Sequence, residues 1–260
     1  SPDNAGPLVD VVTLTRSRSG ARQLNEAAAA STGGIIVLLE EGAQPAPGWL
    51  DHLLRALAEP DVGLAGPSTN WCWNEQAAFP STRRTSAAIV ETALRAERQF
   101  GASLCTLEPL HSLADFCYAV RRDVVETIGA ADEGFGDGPC WEMDYTIRAA
   151  RAGFRAVWVQ AAYVHRAPPS RGRRAREQAR FEAGKRRYQD NVCGLRLRGL
   201  KRDYEPHCRG DDCEHFAPPE LIRIHRPLPQ SKPTLQIRAR APLVTCVMPT
   251  RGRAEFVEPR

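Results

Sequence analysis

Short apolar runs alternate with amphipathic segments along the first part of the chain. Residues 8–15 are rich in β-branched side chains and residues 35–39 form a continuous apolar run; both patterns predict strands, the second buried on two faces of a sheet. Helix formers fill residues 21–31, and residues 47–57 show an amphipathic pattern that begins at a proline. Because another strand follows at residues 62–65, the βαβαβ order predicts an α/β fold with a mostly parallel sheet and helices on both faces.

The alternation continues well past the middle of the chain. It predicts helices over residues 86–99 and 141–152, and strands over residues 114–120 and 156–164, the first of which leads into residues 121–128. A strongly basic helix is predicted over residues 171–189, and residues 166–202 carry thirteen Lys and Arg against three acids, in a chain whose net charge is +4. We expect this helix to pack Phe181 and Tyr188 against the domain. We expect no nucleic acid partner, because acidic residues interrupt the basic surface and no aromatic residues interleave with it.

Composition excludes several classes of protein. With 42% hydrophobic and 25% charged residues, the chain falls in the globular range, which excludes wholesale disorder, collagen and coiled coils. The apolar run at residues 35–39 is far shorter than the roughly 18 residues of a membrane span, and nothing resembles a signal peptide. We therefore expect a cytoplasmic location, which includes a peripheral one at the inner membrane surface. The eight cysteines are irregularly spaced and are interpreted as thiols.

The composition changes after the basic helix. We predict a first domain over residues 1–190, an irregular linker over residues 191–241, and the start of a further domain over residues 242–260. Within the linker, Cys208, Cys213 and His215 form a candidate structural zinc site, because thiolates and imidazoles suit tetrahedral zinc. The alternatives are hydrogen-bonded linker residues or an oxidised pair of Cys208 and Cys213.

Two acidic groups are candidates for chemistry. Glu40 and Glu41 follow a buried strand, at the end where ligands bind in open α/β sheets, and carboxylates there can hold a divalent cation. Glu142 and Asp144 lie in the first turn of a predicted helix, where Asp144 can pair with Arg148 and hold Glu142 at the helix start as an ionised base. The alternatives are a solvated acidic turn and an ordinary acidic first turn.

Several short motifs occur in a characteristic order. They are Asn25 through Gly33, Glu40-Glu41-Gly42, Pro47-Gly48-Trp49-Leu50, Gly66-Pro67-Ser68-Thr69-Asn70, Ile128-Gly129, Asp132-Glu133, Phe135-Gly136, Trp141-Glu142-Met143-Asp144-Tyr145, Arg148 and Ala152-Gly153-Phe154. Together, over roughly residues 1–190, they resemble an inverting family 2 glycosyltransferase of the GT-A fold. Such enzymes move a sugar from a nucleotide-sugar donor to an acceptor hydroxyl, and the acceptors are typically surface polysaccharides, lipid-linked glycans or small natural products.

The resemblance implies roles for individual residues. Glu142 matches the catalytic base, in place of the usual Asp, and Asp144 matches the accompanying acid. Ser1 and Asp3 match the loop that contacts the nucleotide base, and Glu40 and Glu41 stand in the metal motif that serves the donor. His165 matches a histidine that reaches the metal or the diphosphate, so Glu41 and His165 are the implied ligands of Mg²⁺ or Mn²⁺. Gly42 replaces the usual final Asp of that motif, which weakens the metal site. Three alternatives are open: Glu41 and His165 take over as ligands, metal binding is poor, or the domain is catalytically silent.

The final residues bear on domain organisation. Residues 242–256 resemble the first strand and loop of the same family, an element that the resemblance leaves missing before Ser1. Two interpretations are open: a piece of a larger enzyme with two tandem glycosyltransferase domains, or a final strand that completes the first sheet. On the first, we expect the segment alone to be inactive. The rival to the enzyme is a non-catalytic glycosyltransferase-like module that binds a glycan or a protein partner.

Overall fold

The computed structural model describes residues 8–107, 112–167, 170–191, 194–197 and 204–207. The strands are β1 (Val9–Leu14), β2 (Ile35–Glu40), β3 (Gln44–Pro45), β4 (Val62–Ser68), β5 (Leu104–Leu107), β6 (Cys117–Arg121), β7 (Arg155–His165), β8 (Gly194–Leu197) and β9 (Tyr204–His207). The helices are α1 (Gly20–Ala30), α2 (Trp49–Leu57), α3 (Ser86–Phe100), α4 (Arg122–Ile128), α5 (Trp141–Arg151) and α6 (Arg171–Asn191). A short 3₁₀ turn spans Glu133–Phe135, and β8 and β9 pair only with each other among the described residues.

The main sheet has the strand order β1-β2-β6-β4-β7-β3, and β5 also pairs with β7. β1 is parallel to β2 and β4 is parallel to β7, whereas β6 is antiparallel to both β2 and β4. Strands β1, β2, β4 and β7 therefore run in one direction, and β3, β5 and β6 run in the other. The carboxyl ends of β1, β2, β4 and β7 and the amino end of β6 therefore lie at the same edge of the sheet.

Helices cover both faces of this sheet. Alternate side chains of β2 enter different cores: Ile36 and Leu38 pack with Leu24 of α1 on one face, and Ile35 and Val37 pack with α2 on the other. Side chains of a strand alternate between its faces, so the unbroken apolar run of β2 is what a strand covered on both sides requires. The predicted α/β class with helices on both faces is confirmed.

Most of the predicted elements are present within one to three residues of their expected bounds. β4 extends beyond its prediction to Ser68 because its final residues are also buried. The basic helix α6 buries Phe181 and Tyr188, as predicted. No helix among the described residues has the length and apolar content needed to span a membrane. The predictions for Ser1, Asp3, Cys208, Cys213, His215 and residues 242–260 lie outside the described residues.

Candidate functional site

A cavity of about 390 Å³ opens at the edge where β1, β2, β4 and β7 end. Its wall combines aromatic, cationic and acidic side chains from segments that are distant in the sequence. They are Arg16, Trp71, Cys72, Trp73, Ala114, Asp115, Asp137, Pro139, Arg166, Glu177, Gln178, Arg180 and Phe181. This volume is within the range of small-molecule sites, and the location is where ligands bind in open α/β sheets.

Glu40 is the last residue of β2, at the same edge of the sheet, and is surrounded by guanidinium groups. Arg166 donates from Nε to Oε2 at 2.5 Å, Arg173 donates to Oε1, and Nε of Arg16 lies 3.3 Å from Oε1. The side chain of Glu40 is 2% exposed. Burial alone would raise the pKa of Glu40, but Arg166, Arg16 and Arg173 outweigh it and lower the pKa to about 2. Glu40 is therefore a buried anion that holds the strand ends together.

The loop after β4 positions much of the wall through a buried polar network. Asn70 accepts from the backbone N–H of Arg166 at 2.8 Å and donates to its carbonyl at 3.0 Å, which fixes the residue that follows β7. Gln76 accepts from the backbone N–H of Ala114 at 2.7 Å, and Asn74 donates to the carbonyl of Ser112 at 2.7 Å. One loop therefore sets the position of Arg166 and of the segment that carries Asp115.

Trp71 on this loop is held between the loop and the cations. Its indole N–H donates to the carbonyl of Ala167 at 3.1 Å, and the guanidinium of Arg166 lies 3.7 Å from the ring centroid. Arg173 lies over the same ring at 5.4 Å. The ring and the two guanidiniums thus form a rigid, partly aromatic part of the site.

Asp115 is one of three acidic side chains that line the cavity, together with Asp137 and Glu177. Its side chain accepts from Nη1 of Arg16 at 2.7 Å and from the indole N–H of Trp141 at 3.4 Å. Burial opposes the charge of Arg16, but Asp115 and Glu40 raise the pKa of Arg16 above its ordinary value. The ion pair of Arg16 and Asp115 therefore persists at the cavity wall.

Glu142 lies behind this wall. The residue is 0% exposed, does not line the cavity, and has no hydrogen-bond partner of normal geometry for either carboxyl oxygen. Burial raises the pKa of Glu142 well above its ordinary range, and the charge of Asp115 raises it further, with nearby backbone amides opposing. The structure thus favours a protonated, enclosed carboxyl. The role of general base for Glu142 stays a prediction.

Asp144 is paired with an arginine of the same helix. It accepts from Nε of Arg148 at 3.0 Å, the helical pairing expected from the sequence. Arg148 also donates to the carbonyls of Ile128 and Ala130, both at 2.9 Å. This arrangement ties the start of α5 to the end of α4, and the function of Asp144 as an accompanying acid stays a prediction.

The predicted metal ligands Glu41 and His165 differ in their surroundings. Glu41 is exposed and borders a neighbouring cavity, whereas His165 is 2% exposed and its Nδ1 lies 3.0 Å from the hydroxyl of Tyr163. Burial lowers the pKa of His165, and Arg84 lowers it further. With Glu40 occupied by arginines, the described part of the chain holds no group of three His, Cys, Asp or Glu side chains suited to a metal ion. The assignment of Glu41 and His165 as ligands of Mg²⁺ or Mn²⁺ stays a prediction.

The neighbouring cavity is lined mainly by arginines. It has a volume of about 320 Å³ and is lined by Arg16, Ser17, Glu41, Arg173, Arg176, Glu177 and Arg180. Arg16, Glu177 and Arg180 border both cavities. Three buried donors on these walls have no hydrogen-bond partner, namely Nε1 of Trp73 and both Nε and Nη2 of Arg16. An unpaired buried donor costs free energy, which a ligand that accepts from it recovers.

Several of these residues were not singled out by sequence reasoning. Arg166 is adjacent to the chosen His165, and Trp71 and Trp73 lie in a turn-rich segment that gave no periodic signal. Asp115 precedes an apolar strand without a motif of its own. Arg173 was included only in a helix expected to be solvated. The available signal was the accumulation of Arg and Trp just after predicted strand ends.

Comparisons with known proteins give partial likenesses only. No family model and no curated protein match the sequence. A mannosyltransferase from Pyrobaculum calidifontis in complex with GDP-Man and Mn²⁺ is 22% identical, with 64% of this chain and 43% of that chain covered and a TM-score of 0.41. GalNAc-T7 with UDP, GalNAc and Mn²⁺ is 11% identical, with coverage of 59% and 31% and a TM-score of 0.43.

A third solved structure is glucosyl-3-phosphoglycerate synthase from Mycobacterium tuberculosis in complex with Mn²⁺, UDP-glucose and glycerol 3-phosphate. It is 18% identical, with 73% of this chain and 62% of that chain covered and a TM-score of 0.39. This chain spans less than two thirds of each of the three proteins. At these identities and TM-scores the likenesses carry no argument about activity, and the fold class rests on the sheet described above.

Proposed function

We propose that this chain is a glycosyltransferase that takes a nucleotide-sugar donor at the edge of the sheet and moves the sugar to an acceptor hydroxyl with inversion. The observation that carries the proposal is the composition of the larger cavity. Indole rings of Trp71 and Trp73 suit a sugar or a nucleobase, the guanidinium of Arg16 suits a phosphate, and the carboxylate of Asp115 suits a hydroxyl. The sequence motifs that resemble family 2 enzymes support the same activity.

The two cavities divide the donor between them. The larger one has aromatic and apolar side chains on its wall, and the smaller one has arginines. Because Arg16 and Arg180 border both, a ligand with a ring at one end and a diphosphate at the other can occupy the two cavities together.

The base that takes the acceptor proton must be an ionised carboxylate within reach of the substrate. Asp115 lines the cavity, whereas Glu142 is enclosed behind it and its pKa is raised. We therefore assign proton removal to Asp115, and Glu142 remains the assignment that the sequence motifs favour. The acceptor oxygen forms a bond to the anomeric carbon, its proton goes to the carboxylate, and the nucleoside diphosphate leaves from the opposite face with the electron pair.

The test is release of nucleoside diphosphate by the intact protein, measured with a panel of nucleotide sugars and acceptors. We expect Asp115→Asn to lower kcat by about 10²-fold or more, the usual contribution of a general base. The matched variant Glu142→Gln should keep kcat within about threefold, because Glu142 does not line the cavity and the amide has nearly the same shape. The opposite pattern, loss of turnover in Glu142→Gln alone, would return the role to Glu142.

A second candidate is a glycosyltransferase-like module that binds a nucleotide or glycan without transferring sugar. The specific observation in its favour is that Glu40 is neutralised by three arginines while Glu142 is enclosed. This module predicts donor binding by the intact protein without nucleoside diphosphate release from any donor in the panel. Turnover above the rate of spontaneous donor hydrolysis excludes it.

A further inference from the structure

We propose that the smaller cavity binds a diphosphate group through arginines, with no metal ion as intermediary. The proposal rests on the proposed function only for the identity of the whole ligand, a nucleoside diphosphate. Three observations support it: Glu40 is paired with arginines, arginines line the cavity wall, and some guanidinium donors on that wall have no partner.

The position of Glu40 is the first step. A carboxylate at the end of this strand is where a divalent cation would bind, yet both of its oxygens accept from guanidinium groups, Oε2 from Arg166 and Oε1 from Arg173. Arg16 adds a third positive charge next to Oε1. A cation bound at Glu40 would have to displace these groups and lie among three positive charges. The guanidiniums thus occupy the place of the metal.

The charge of the wall is the second step. Four arginines and two glutamates line the smaller cavity. Glu177 pairs with Arg173 at 2.8 Å, and Arg180 pairs with Asp137 at 2.5 Å across the boundary with the larger cavity. Glu41 is the remaining acid on this wall and is exposed. The residues of this wall therefore carry four positive charges against two negative ones, and Arg176 is the arginine among them that no carboxylate of the described residues pairs with.

The donors that remain available are the third step. Arg176 is exposed, and no ion pair or hydrogen bond of its guanidinium occurs within the described part of the chain. Nη2 of Arg16 is buried and lacks a partner. Guanidinium groups present paired N–H donors that match the spacing of phosphate oxygens. These two side chains can receive a diphosphate without breaking the ion pairs that hold Glu40.

The experiment measures binding of inorganic pyrophosphate, UDP and GDP to the intact protein by calorimetry, once in EDTA and once with Mn²⁺. We expect binding in EDTA with an affinity that Mn²⁺ changes by less than about twofold, and weaker binding at higher salt. Arg176→Ala should weaken binding about fivefold, the value of one partly exposed charge contact. The control Arg98→Ala, on an exposed position of α3, should leave the affinity unchanged.

Glu41→Gln separates the two ways of binding. If arginines alone hold the diphosphate, removal of this like charge leaves pyrophosphate binding equal or stronger. If a metal held by Glu41 mediates binding, the same variant weakens pyrophosphate binding and EDTA abolishes it. That result overturns the proposal while the proposed glycosyl transfer stands.

Binding in EDTA without turnover supports the proposal and contradicts the proposed enzyme activity. Absence of pyrophosphate and nucleotide binding under both conditions overturns the proposal and also removes the donor site.

Discussion

Arg166, the first residue after β7, donates from Nε to Oε2 of Glu40, the last residue of β2, at 2.5 Å. The side chains are 7% and 2% exposed. The pair joins two strand ends that are 126 residues apart in the sequence, with the sheet strands β6 and β4 between them. The pair also limits metal binding at this edge of the sheet, because a carboxylate paired with guanidinium groups is not available to a metal ion.

Removal of Arg166 should destabilise the protein strongly. Arg166→Met leaves Glu40 buried with one charge partner fewer, and breaking a buried pair costs about 3–5 kcal/mol. The measurement is urea unfolding at pH 7. The double variant Arg166→Met with Glu40→Gln is the control, and we expect it to recover most of the loss because no unpaired buried charge remains.

The same comparison has a predicted pH dependence. The folded-state pKa of Glu40 is lowered from 4.5 to about 2, so its ion pairs contribute stability above pH 4.5 that is lost as the pH falls towards 2. The cost of Arg166→Met should therefore be largest near pH 7 and shrink below pH 4.5. A cost that is independent of pH across this range would show that the carboxylate charge is not what Arg166 stabilises.

Glu142 should have the opposite pH dependence. Its pKa is raised in the folded protein, so its contribution is favourable below the ordinary value of 4.5 and is lost as the pH rises. Replacement by an apolar side chain of similar size, Glu142→Met, should raise the free energy of unfolding by about 1 kcal/mol or more at pH 8. The gain should be smaller at pH 4. Thermal melts at the two pH values measure it, and destabilisation at pH 8 would contradict the enclosed, protonated state.

Arg148 should matter for stability and not for ligand binding. Arg148→Ala removes an ion pair with Asp144 and two hydrogen bonds to the end of α4, so we expect a loss of about 1.5–3 kcal/mol. Arg151→Ala, in the exposed last turn of the same helix, is the matched control and should change stability by less than about 0.5 kcal/mol. Equal losses of stability in the two variants would contradict a structural role for the ion pair of Arg148 and Asp144.

Loss of the unpartnered indole N–H of Trp73 should change ligand affinity more than protein stability. Trp73→Phe removes a buried donor that has no partner, so the cost in stability should be on the order of 1 kcal/mol from packing alone. Nucleotide affinity should fall about fivefold if the N–H donates to the ligand.

The control for Trp73 is the same substitution at Trp158, whose indole N–H donates to Ser68 at 3.0 Å. Trp158→Phe loses a hydrogen bond that exists, so it should cost more stability than Trp73→Phe while affinity is kept. Calorimetric titration with UDP and GDP, together with thermal melts, measures both quantities. An unchanged affinity in Trp73→Phe would place the nucleotide away from this side of the cavity.

The fold could be predicted to a large extent because its signals are local. The continuous apolar run of β2 and the amphipathic pattern of α2 both act within a few residues. The antiparallel position of β6 between β2 and β4 was not predicted, since strand order depends on contacts between distant segments. The short strands β3 and β5 also lack a periodic signal of their own.

The site could be predicted only in part. Local patterns placed Glu40 at a strand end and Glu142 in the first turn of a helix, and the structure has both there. The environment of each is set by residues far along the chain: Arg166 and Arg173 for Glu40, and Asp115 for Glu142. Charge state and access depend on those neighbours, so the role of a carboxylate cannot be inferred from its motif alone.

The most direct test of the account is the position of a nucleoside diphosphate in a crystal of the intact protein grown with UDP or GDP in the presence of EDTA. We expect the diphosphate within hydrogen-bond distance of Arg16 and Arg176, and the nucleoside against Trp71 or Trp73. A nucleotide bound elsewhere on the molecule, or one seen only with Mn²⁺ that bridges it to Glu41 and His165, would contradict the account.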